Sequence, residues 1–271
     1  MTISDRQAHD LAARLRTAER DGSAMPLASE TFTDLDWDDA RRIAVARDEL
    51  RRSDGDECIG YKLGWTSSAM RNAFGIDRPN WGTLWRSQLV EHRLDLSRLR
   101  HAKVEPEIVY TARSDVSGTD VTADDVVDSA LGWAIGIEVV HPRWPSYDFT
   151  WLDNTADNSS AAAIAVGPVC QLTVELPAVE ISFTNGRETR TGRGDQALES
   201  PAEAVAWLVR ELAVEGRSIH ATQIVFTGGL TAPFDVSPSS HFKARSSDLG
   251  TIEVITDDSA ALKTSADRLR G

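Results

Sequence analysis

Several features are scarce or missing in this 271-residue sequence, and each excludes a class of protein. The two cysteines, Cys58 and Cys170, lie far apart and outside any CxxC pair, so they cannot form a disulfide framework. No apolar run approaches the length that spans a membrane. The first residues contain no basic segment followed by an apolar one, as a secretory signal would. Together these absences predict a cytoplasmic protein.

Positive charge is also in deficit, because 29 lysines and arginines stand against 42 aspartates and glutamates, a net charge of −13. Such a surface repels the phosphates of nucleic acids and of anionic membranes, so we expect neither as a partner. An anionic substrate would need local lysine, arginine or metal charge in order to bind. An apolar content of 41% in a chain of this length is enough for one large globular domain with, at most, a small attachment.

The hydrophobic pattern predicts an α+β protein. Residues 4–20 and 38–52 have helical periodicity, and Ser4 and Gln7 have the spacing of a capping box. From residue 57 to 256 short strands and turns dominate, including a hairpin signal at Asn185-Gly186. We predict a mixed β-roll or barrel with N-terminal and peripheral helices. Its parts would be a helical attachment (1–56), a β-rich catalytic domain (57–256) and a polar tail (257–271).

Finer features of the β-rich part are also predicted from local signals. Residues 75–82 are rich in glycine, proline, asparagine and aspartate, and predict a loop. Residues 122–131 predict a helix with Thr122 as its cap, and residues 161–169 predict an apolar strand. Both cysteines lie in apolar surroundings, which predicts buried and inert thiols.

Three acidic residues lie inside apolar strands, where solubility does not require them. Glu105 and Glu107 are two residues apart, so their side chains project from one face of a strand. Glu138 ends a second apolar run. Three carboxylates from neighbouring strands would form an oxygen-only site that suits Mg²⁺ or Mn²⁺. Taken alone, a Glu-x-Glu pair on a half-exposed strand is more often a solvated surface, but Glu138 in its apolar run argues against that interpretation.

Two further charged residues have two interpretations each. Lys62 is the only charge in the short strand predicted at 59–66, and it points either to water from an edge strand or into a pocket. Asp77 is either a catalytic acid or base, or a turn-forming residue before Pro79. The segment 153–160 is dense in side chains that cap helices or bind ligands.

Taken jointly and in order, these motifs resemble the 2-oxopent-4-enoate hydratase and 4-oxalocrotonate decarboxylase family of the fumarylacetoacetate hydrolase superfamily. The resemblance covers residues 57 to 256. It is carried by residues 60–66, Gly-Ile-Asp-Arg-Pro at 75–79, Glu-Pro-Glu at 105–107, Ile-Glu-Val-Val at 137–140, 153–160 and Thr-Gly-Gly at 227–229.

The resemblance implies the superfamily's mixed β-roll and a homo-oligomer. It implies that Glu105, Glu107 and Glu138 bind Mg²⁺ or Mn²⁺ as the cofactor. The substrate would be a small unsaturated 2-oxo acid that reacts through a metal-bound dienolate, with Lys62 and Asp77 as catalytic residues. The residues implied to bind the substrate are Thr66, Asp157, Ser160 and Thr231.

The reaction itself stays open between alternatives. Asp77 and its loop resemble the hydratases, which favours hydration, whereas the turn at 228–232 resembles the decarboxylases. Trp65 stands where the family has leucine, and 199–201 stand where it has Gly-His-Pro, which leaves the substrate open. Ring-opening hydrolysis is disfavoured because no histidine lies between residues 60 and 91. A third alternative is a non-catalytic structural subunit, but buried charge is costly to keep without a use.

Overall fold

The computed structural model of the chain describes residues 3–257. Its helices are α1 (Asp5–Asp21), α2 (Ala28–Thr31), α3 (Trp37–Ser53), α4 (Ser68–Phe74), α5 (Ala123–Ser129), α6 (Trp151–Ala156) and α7 (Pro201–Val214). Its strands are β1 (Cys58–Gly64), β2 (Asn80–Trp85), β3 (Arg93–Leu94), β4 (Lys103–Ala112), β5 (Ala130–Val140), β6 (Ala161–Val166), β7 (Glu180–Thr184), β8 (Thr189–Arg193), β9 (Ile224–Phe226), β10 (Phe234–Asp235), β11 (His241–Ser246) and β12 (Gly250–Thr256). Short 3₁₀ turns, among them Asn158–Ser160, connect some of them.

The strands form two mixed sheets. The larger has the order β2-β1-β9-β4-β5-β6, with β10 paired to β4, and the smaller has the order β3-β12-β11-β7-β8. β1 runs parallel to β9, whereas β4 runs antiparallel to both β5 and β9. The predicted hairpin is present, since Asn185-Gly186 joins β7 to β8. The α+β class with mixed β-sheets is therefore confirmed.

Side-chain alternation gives the larger sheet two different faces. Val104, Ile108 and Tyr110 of β4 are buried in the main core, together with α7 and the smaller sheet. Glu105 and Glu107, which alternate with them along the strand, point to the other face. One strand thus contributes both to the core and to a separate polar layer.

The N-terminal helices pack on residues from the β-rich part. α1 begins with the predicted capping box between Ser4 and Gln7, and α3 begins at the cap Asp36. Their apolar faces form a second core with Trp144 and Ala156, which lie between β5 and β6 in the chain. The predicted boundary at residue 56 thus marks a change of secondary structure inside a continuous packing. Apart from Asp257, the predicted tail lies outside the described residues.

Local predictions were wrong at several places. Residues 80–82 belong to β2, all six residues of which are buried, and only residues 75–79 form a loop. The predicted helix at 122–131 ends at Ser129, where β5 takes over, and the strand predicted at 161–169 ends at Val166. Both cysteines are free but only partly buried. Within residues 3–257, no helix is long and apolar enough to cross a membrane.

Candidate active site on the larger sheet

Strand register places the three predicted carboxylates on one face of the larger sheet. Glu105 of β4 lies directly opposite Glu138 of β5, and Glu107 lies opposite Gly136. Residues that face each other across a ladder point to the same side, and so do residues two apart on one strand. The period-2 argument therefore holds for Glu105 and Glu107, and the strand register adds Glu138 to their face.

The same register brings Lys62 to this face. Lys62 of β1 is the partner of Phe226 on β9, and Phe226 is in turn the partner of Val109 on β4. β1 lies between β2 and β9, and Lys62 is only 3% exposed, which excludes a solvent-facing edge lysine. Its Nζ lies 3.1 Å from Glu138 Oε2. It also donates to the Ser159 carbonyl at 3.2 Å and the Ser159 hydroxyl at 3.1 Å.

Hydrogen bonds and neighbouring positive charge balance the three carboxylates only in part. Glu107 Oε2 accepts a hydrogen bond from the Gly228 amide at 2.6 Å, but Glu107 Oε1 and Glu138 Oε1 are buried without a hydrogen-bond partner. Burial raises the pKa of Glu107 well above its ordinary value, and repulsion from Glu138 adds to this. Burial also raises the pKa of Glu138, against the lowering effect of Lys62. For Glu105, burial and then Glu138 raise the pKa to about 7.

These groups fit a divalent cation in their chemistry. Carboxylate oxygens are the ligands that Mg²⁺ and Mn²⁺ prefer, and two buried oxygens here have no other partner. Gly229 leaves room beside Glu105, since a Cβ at this position would lie 1.8 Å from Glu105 Oε2. Within the described part of the chain, no group of three or more His, Cys, Asp or Glu is already arranged to hold a metal ion. Binding one ion would therefore require some rearrangement of these carboxylates.

The other predicted site residues lie around this face with different contacts. Asp157 is fully buried, and its carboxylate accepts from the Arg143 side chain at 2.5 Å and the Arg143 amide at 3.0 Å. The Ser160 hydroxyl accepts from Asn154 at 2.9 Å. Both side chains are thus engaged within the protein, and their assignment to the substrate stays a prediction.

The remaining three predicted residues differ in exposure. Thr66 is buried next to Gly228 of the turn that follows β9. Thr231 is partly exposed, and its hydroxyl donates to the Ala232 carbonyl at 3.0 Å. Asp77 is exposed in the turn between α4 and β2. Their roles as substrate-binding or catalytic residues likewise stay predictions.

Sequence reasoning missed the residues that surround Lys62. Ser159 accepts two hydrogen bonds from it, and Asn80 accepts one from the Ser159 hydroxyl at 2.9 Å. The polar density of residues 153–160 was a signal for this segment. Asn80 gave no signal, because Pro79 and Gly82 beside it favour a loop.

No protein-family model matches the chain. It is 29% identical over 253 residues to a 2-keto-4-pentenoate hydratase from Burkholderia vietnamiensis, with 92% of this chain and 97% of that protein covered. Its fold matches 4-oxalocrotonate decarboxylase from Pseudomonas putida G7, complexed with magnesium and adipate, with a TM-score of 0.90 and 26% identity over 94% of this chain and 99% of that one.

A more distant likeness concerns the fold alone. Fumarylpyruvate hydrolase from Pseudomonas aeruginosa, in complex with Mn²⁺ and pyruvate, matches with a TM-score of 0.57 and 19% identity, over 73% of this chain and 88% of that one. The expected mixed β-roll of the fumarylacetoacetate hydrolase type is thereby confirmed. The resemblance drawn from the motifs is confirmed as well, because the relatives are 2-keto-4-pentenoate hydratases and 4-oxalocrotonate decarboxylases.

Proposed function

We propose that this chain is a divalent-metal-dependent lyase that hydrates a small unsaturated 2-oxo acid. One observation carries the proposal: Glu105, Glu107 and Glu138 share one largely buried sheet face, and the ammonium group of Lys62 lies against Glu138 on that face. Two of the carboxylate oxygens there have no partner, which fits a site for a cation. The relatedness to a 2-keto-4-pentenoate hydratase along nearly the whole chain supports the reaction type.

The metal ligands would be Glu105, Glu107 and Glu138. A bound Mg²⁺ or Mn²⁺ supplies Lewis-acid stabilisation of negative charge that develops on an oxygen of the substrate. The protein contributes a dry and partly prepared set of ligands. Glu107 is held by the Gly228 amide, and Glu138 lies against Lys62. Neighbouring negative charges repel one another, as the raised pKa of Glu107 beside Glu138 shows, and this repulsion favours binding a cation here.

Lys62 is the proposed proton carrier. Its Nζ lies 3.1 Å from Glu138 Oε2 and, at 3% exposure, is shielded from bulk water, whereas Lys103 on the same face pairs with the exposed Asp235. An ammonium group in this position offsets the negative charge of a 2-oxo acid and can deliver a proton to carbon. Loss of this group removes the proton transfer and leaves the carboxylates in place.

The proposal also gives roles to Asp77 and to the four residues predicted to bind the substrate. Asp77 would orient a water molecule or shuttle a proton, and Thr66, Asp157, Ser160 and Thr231 would surround the substrate. Asp77 is exposed and follows α4, none of whose residues is buried. α4 is held to the end of β1 by Arg71, which donates to the Trp65 and Thr66 carbonyls, so Asp77 lies in a loop anchored beside the predicted substrate-binding residue Thr66.

Decarboxylation of a 2-oxo dicarboxylic acid is the second candidate. The high structural similarity to a 4-oxalocrotonate decarboxylase complexed with adipate, a dicarboxylate, favours it. The two reactions differ in what leaves or joins the substrate, so product analysis distinguishes them.

The decisive experiment is an Mg²⁺-dependent assay with 2-hydroxypenta-2,4-dienoate and with 2-oxohex-3-enedioate, which follows ultraviolet absorbance and CO₂ release separately. Hydration predicts loss of absorbance with the first substrate without CO₂. CO₂ release from the second substrate would establish decarboxylation instead. Absence of turnover and of stoichiometric Mg²⁺ binding would leave the third alternative, a structural subunit.

Assembly and location belong to the same proposal. A homo-oligomer is the assembly that the resemblance implies, and light scattering after size-exclusion chromatography would test it. The cytoplasmic location stays a prediction from the sequence.

A further inference from the structure

The Lys62 ammonium group is held at three points. A lysine ammonium has three N–H donors, and three acceptors lie within reach of this one: Glu138 Oε2 at 3.1 Å, the Ser159 carbonyl at 3.2 Å and the Ser159 hydroxyl at 3.1 Å. Two of the three belong to a single residue. Ser159 therefore decides where the ammonium points as much as Glu138 does.

The Ser159 hydroxyl is itself oriented. Its proton goes to Asn80 Oδ1 at 2.9 Å, which leaves a lone pair for Lys62. Gly64 makes this contact possible, because a Cβ on Gly64 would lie 2.5 Å from Ser159 Oγ and 2.4 Å from Asn80 Oδ1. The hydroxyl is thus packed and hydrogen-bonded in one direction.

Ser159 lies in a backbone conformation that needs support. Asn158, Ser159 and Ser160 have φ values of 57°, 50° and 57°, in the left-handed region that residues other than glycine seldom adopt. The Asn158 side chain anchors the turn to β2, accepting from the Thr83 amide at 2.7 Å and donating to the Thr83 carbonyl at 2.9 Å. Such strain persists only where surrounding contacts determine it, and it is concentrated at functional sites.

Arg143 fixes the two ends of the turn. Besides its bonds to the Asp157 side chain, its guanidinium donates to the Asp157 carbonyl at 2.6 Å and to the Ala161 carbonyl at 3.0 Å. Arg143 is 1% exposed. The carbonyls on both sides of the three left-handed residues are therefore tied to one buried cation.

We propose that Ser159 is a positioning residue for Lys62. The strained turn presents the hydroxyl and the carbonyl of Ser159 so that they aim the Lys62 ammonium at Glu138 on the carboxylate face. The orientation itself follows from these contacts alone, while its catalytic consequence rests on the proposed function. Ser159 acts through Lys62 and need not touch the substrate.

The first test observes the ammonium group and needs no activity. In the ¹⁵N-labelled full-length protein, the NH₃⁺ correlation of Lys62 is assigned by its loss in Lys62→Met. We expect this signal to be visible in the wild type and to shift or broaden in Ser159→Gly and Ser159→Ala. Glycine accepts the left-handed backbone, so the first variant keeps the turn without the hydroxyl. A signal unchanged in both variants, or a wild-type signal in fast exchange like that of a surface lysine, would overturn the proposal.

The second test uses turnover with the better of the two substrates named above. One hydrogen bond to a charged group makes a difference of about tenfold, so we expect kcat of Ser159→Gly to fall about tenfold with KM within about twofold. In the Lys62→Met background, the further change Ser159→Gly should not lower kcat any more. Ser129→Ala, which removes a hydroxyl bonded to Tyr110, is the matched control and should keep wild-type kcat.

The two readouts separate the two proposals. A shifted Lys62 signal in a protein without turnover would refute the proposed function and leave the positioning role intact. Turnover in the wild type together with unchanged kcat in both Ser159 variants would refute the positioning role alone.

Discussion

The carboxylate face should make the metal-free protein less stable as the pH rises, and Glu105 allows the size of this effect to be worked out. Its pKa is about 7 in the folded protein, against an ordinary value of 4.5, because of burial and of Glu138. A raised pKa means that the folded state binds the proton more tightly. The stabilisation is fully present below about pH 4.5 and is lost as the pH rises through about 7. At about 1.4 kcal/mol per tenfold change in proton affinity, this amounts to about 3 kcal/mol.

The residual exposure of Glu105 screens part of this effect, so we expect about 2 kcal/mol. His141 acts in the opposite direction, since burial, and then Arg143, lower its pKa to about 3. Its contribution to stability grows as the pH rises towards 6.5. The raised pKa values of Glu107 and Glu138 act in the same direction as that of Glu105, so the wild-type curve alone would mix all these effects. The informative quantity is the difference in unfolding free energy between the wild type and Glu105→Gln. The contribution of His141 cancels in this difference.

The assay is urea unfolding from pH 5 to 8 in EDTA, for the wild type and for Glu105→Gln. We expect the unfolding free energy of Glu105→Gln, taken relative to that of the wild type, to increase by about 2 kcal/mol between pH 5 and 8. Mg²⁺ at 100 times its dissociation constant should raise the unfolding free energy of the wild type by about 2.7 kcal/mol at pH 8. The increase should be much smaller at pH 5, because protons compete with Mg²⁺ for the carboxylates. A difference between the two proteins that is independent of pH would refute the reasoning.

Three further predictions concern single residues. Glu107→Ala and Glu138→Ala should each lose Mg²⁺ binding in calorimetry and turnover together, and retention of either property would contradict their role as ligands. Lys62→Met should lower kcat by at least about 100-fold while stoichiometric Mg²⁺ binding persists, because it removes a proton carrier and no ligand. Arg143→Met should lower the unfolding free energy by about 3–5 kcal/mol, since it removes the close partner of the buried Asp157 carboxylate and leaves only Arg47 at 3.8 Å. Arg86→Met, which breaks an exposed pair with Glu57, should change it by no more than about 1 kcal/mol in the same urea titration.

The common face of Glu105 and Glu107 was predictable because it depends on strand periodicity alone, whereas the position of Glu138 opposite Glu105 also depends on the pairing of β4 with β5. Glu105 and Glu107 share a face through their spacing, and an acid in the middle of an apolar run, such as Glu138, indicates a buried polar site. Helix α1 was equally predictable, since its capping box and its apolar stripe agree. For the Glu105–Glu107 pair and for α1, neighbours in the sequence determine the outcome.

β2 was missed because tertiary contacts determine it. Its sequence, with Pro79 before it and Gly82 within it, has turn propensity. It is a strand because it pairs with β1 on one side and because the Asn158 side chain satisfies the Thr83 backbone on the other. Asn158 lies 75 residues away in the chain. No local pattern could indicate that contact, or the approach of Ser159 to Lys62 that depends on it.

The site also depends on the N-terminal helices, although they supply none of the three carboxylates. Glu19 of α1 binds Arg47 and Arg51 of α3, which hold its pKa below the ordinary range despite its burial. Arg47 also lies 3.8 Å from Asp157, the partner of Arg143. An ionic chain thus runs from the first helix to the turn that holds Ser159 against Lys62. Since a buried charge is stable only with its partners, the helical segment helps to fix the position of the proposed catalytic lysine.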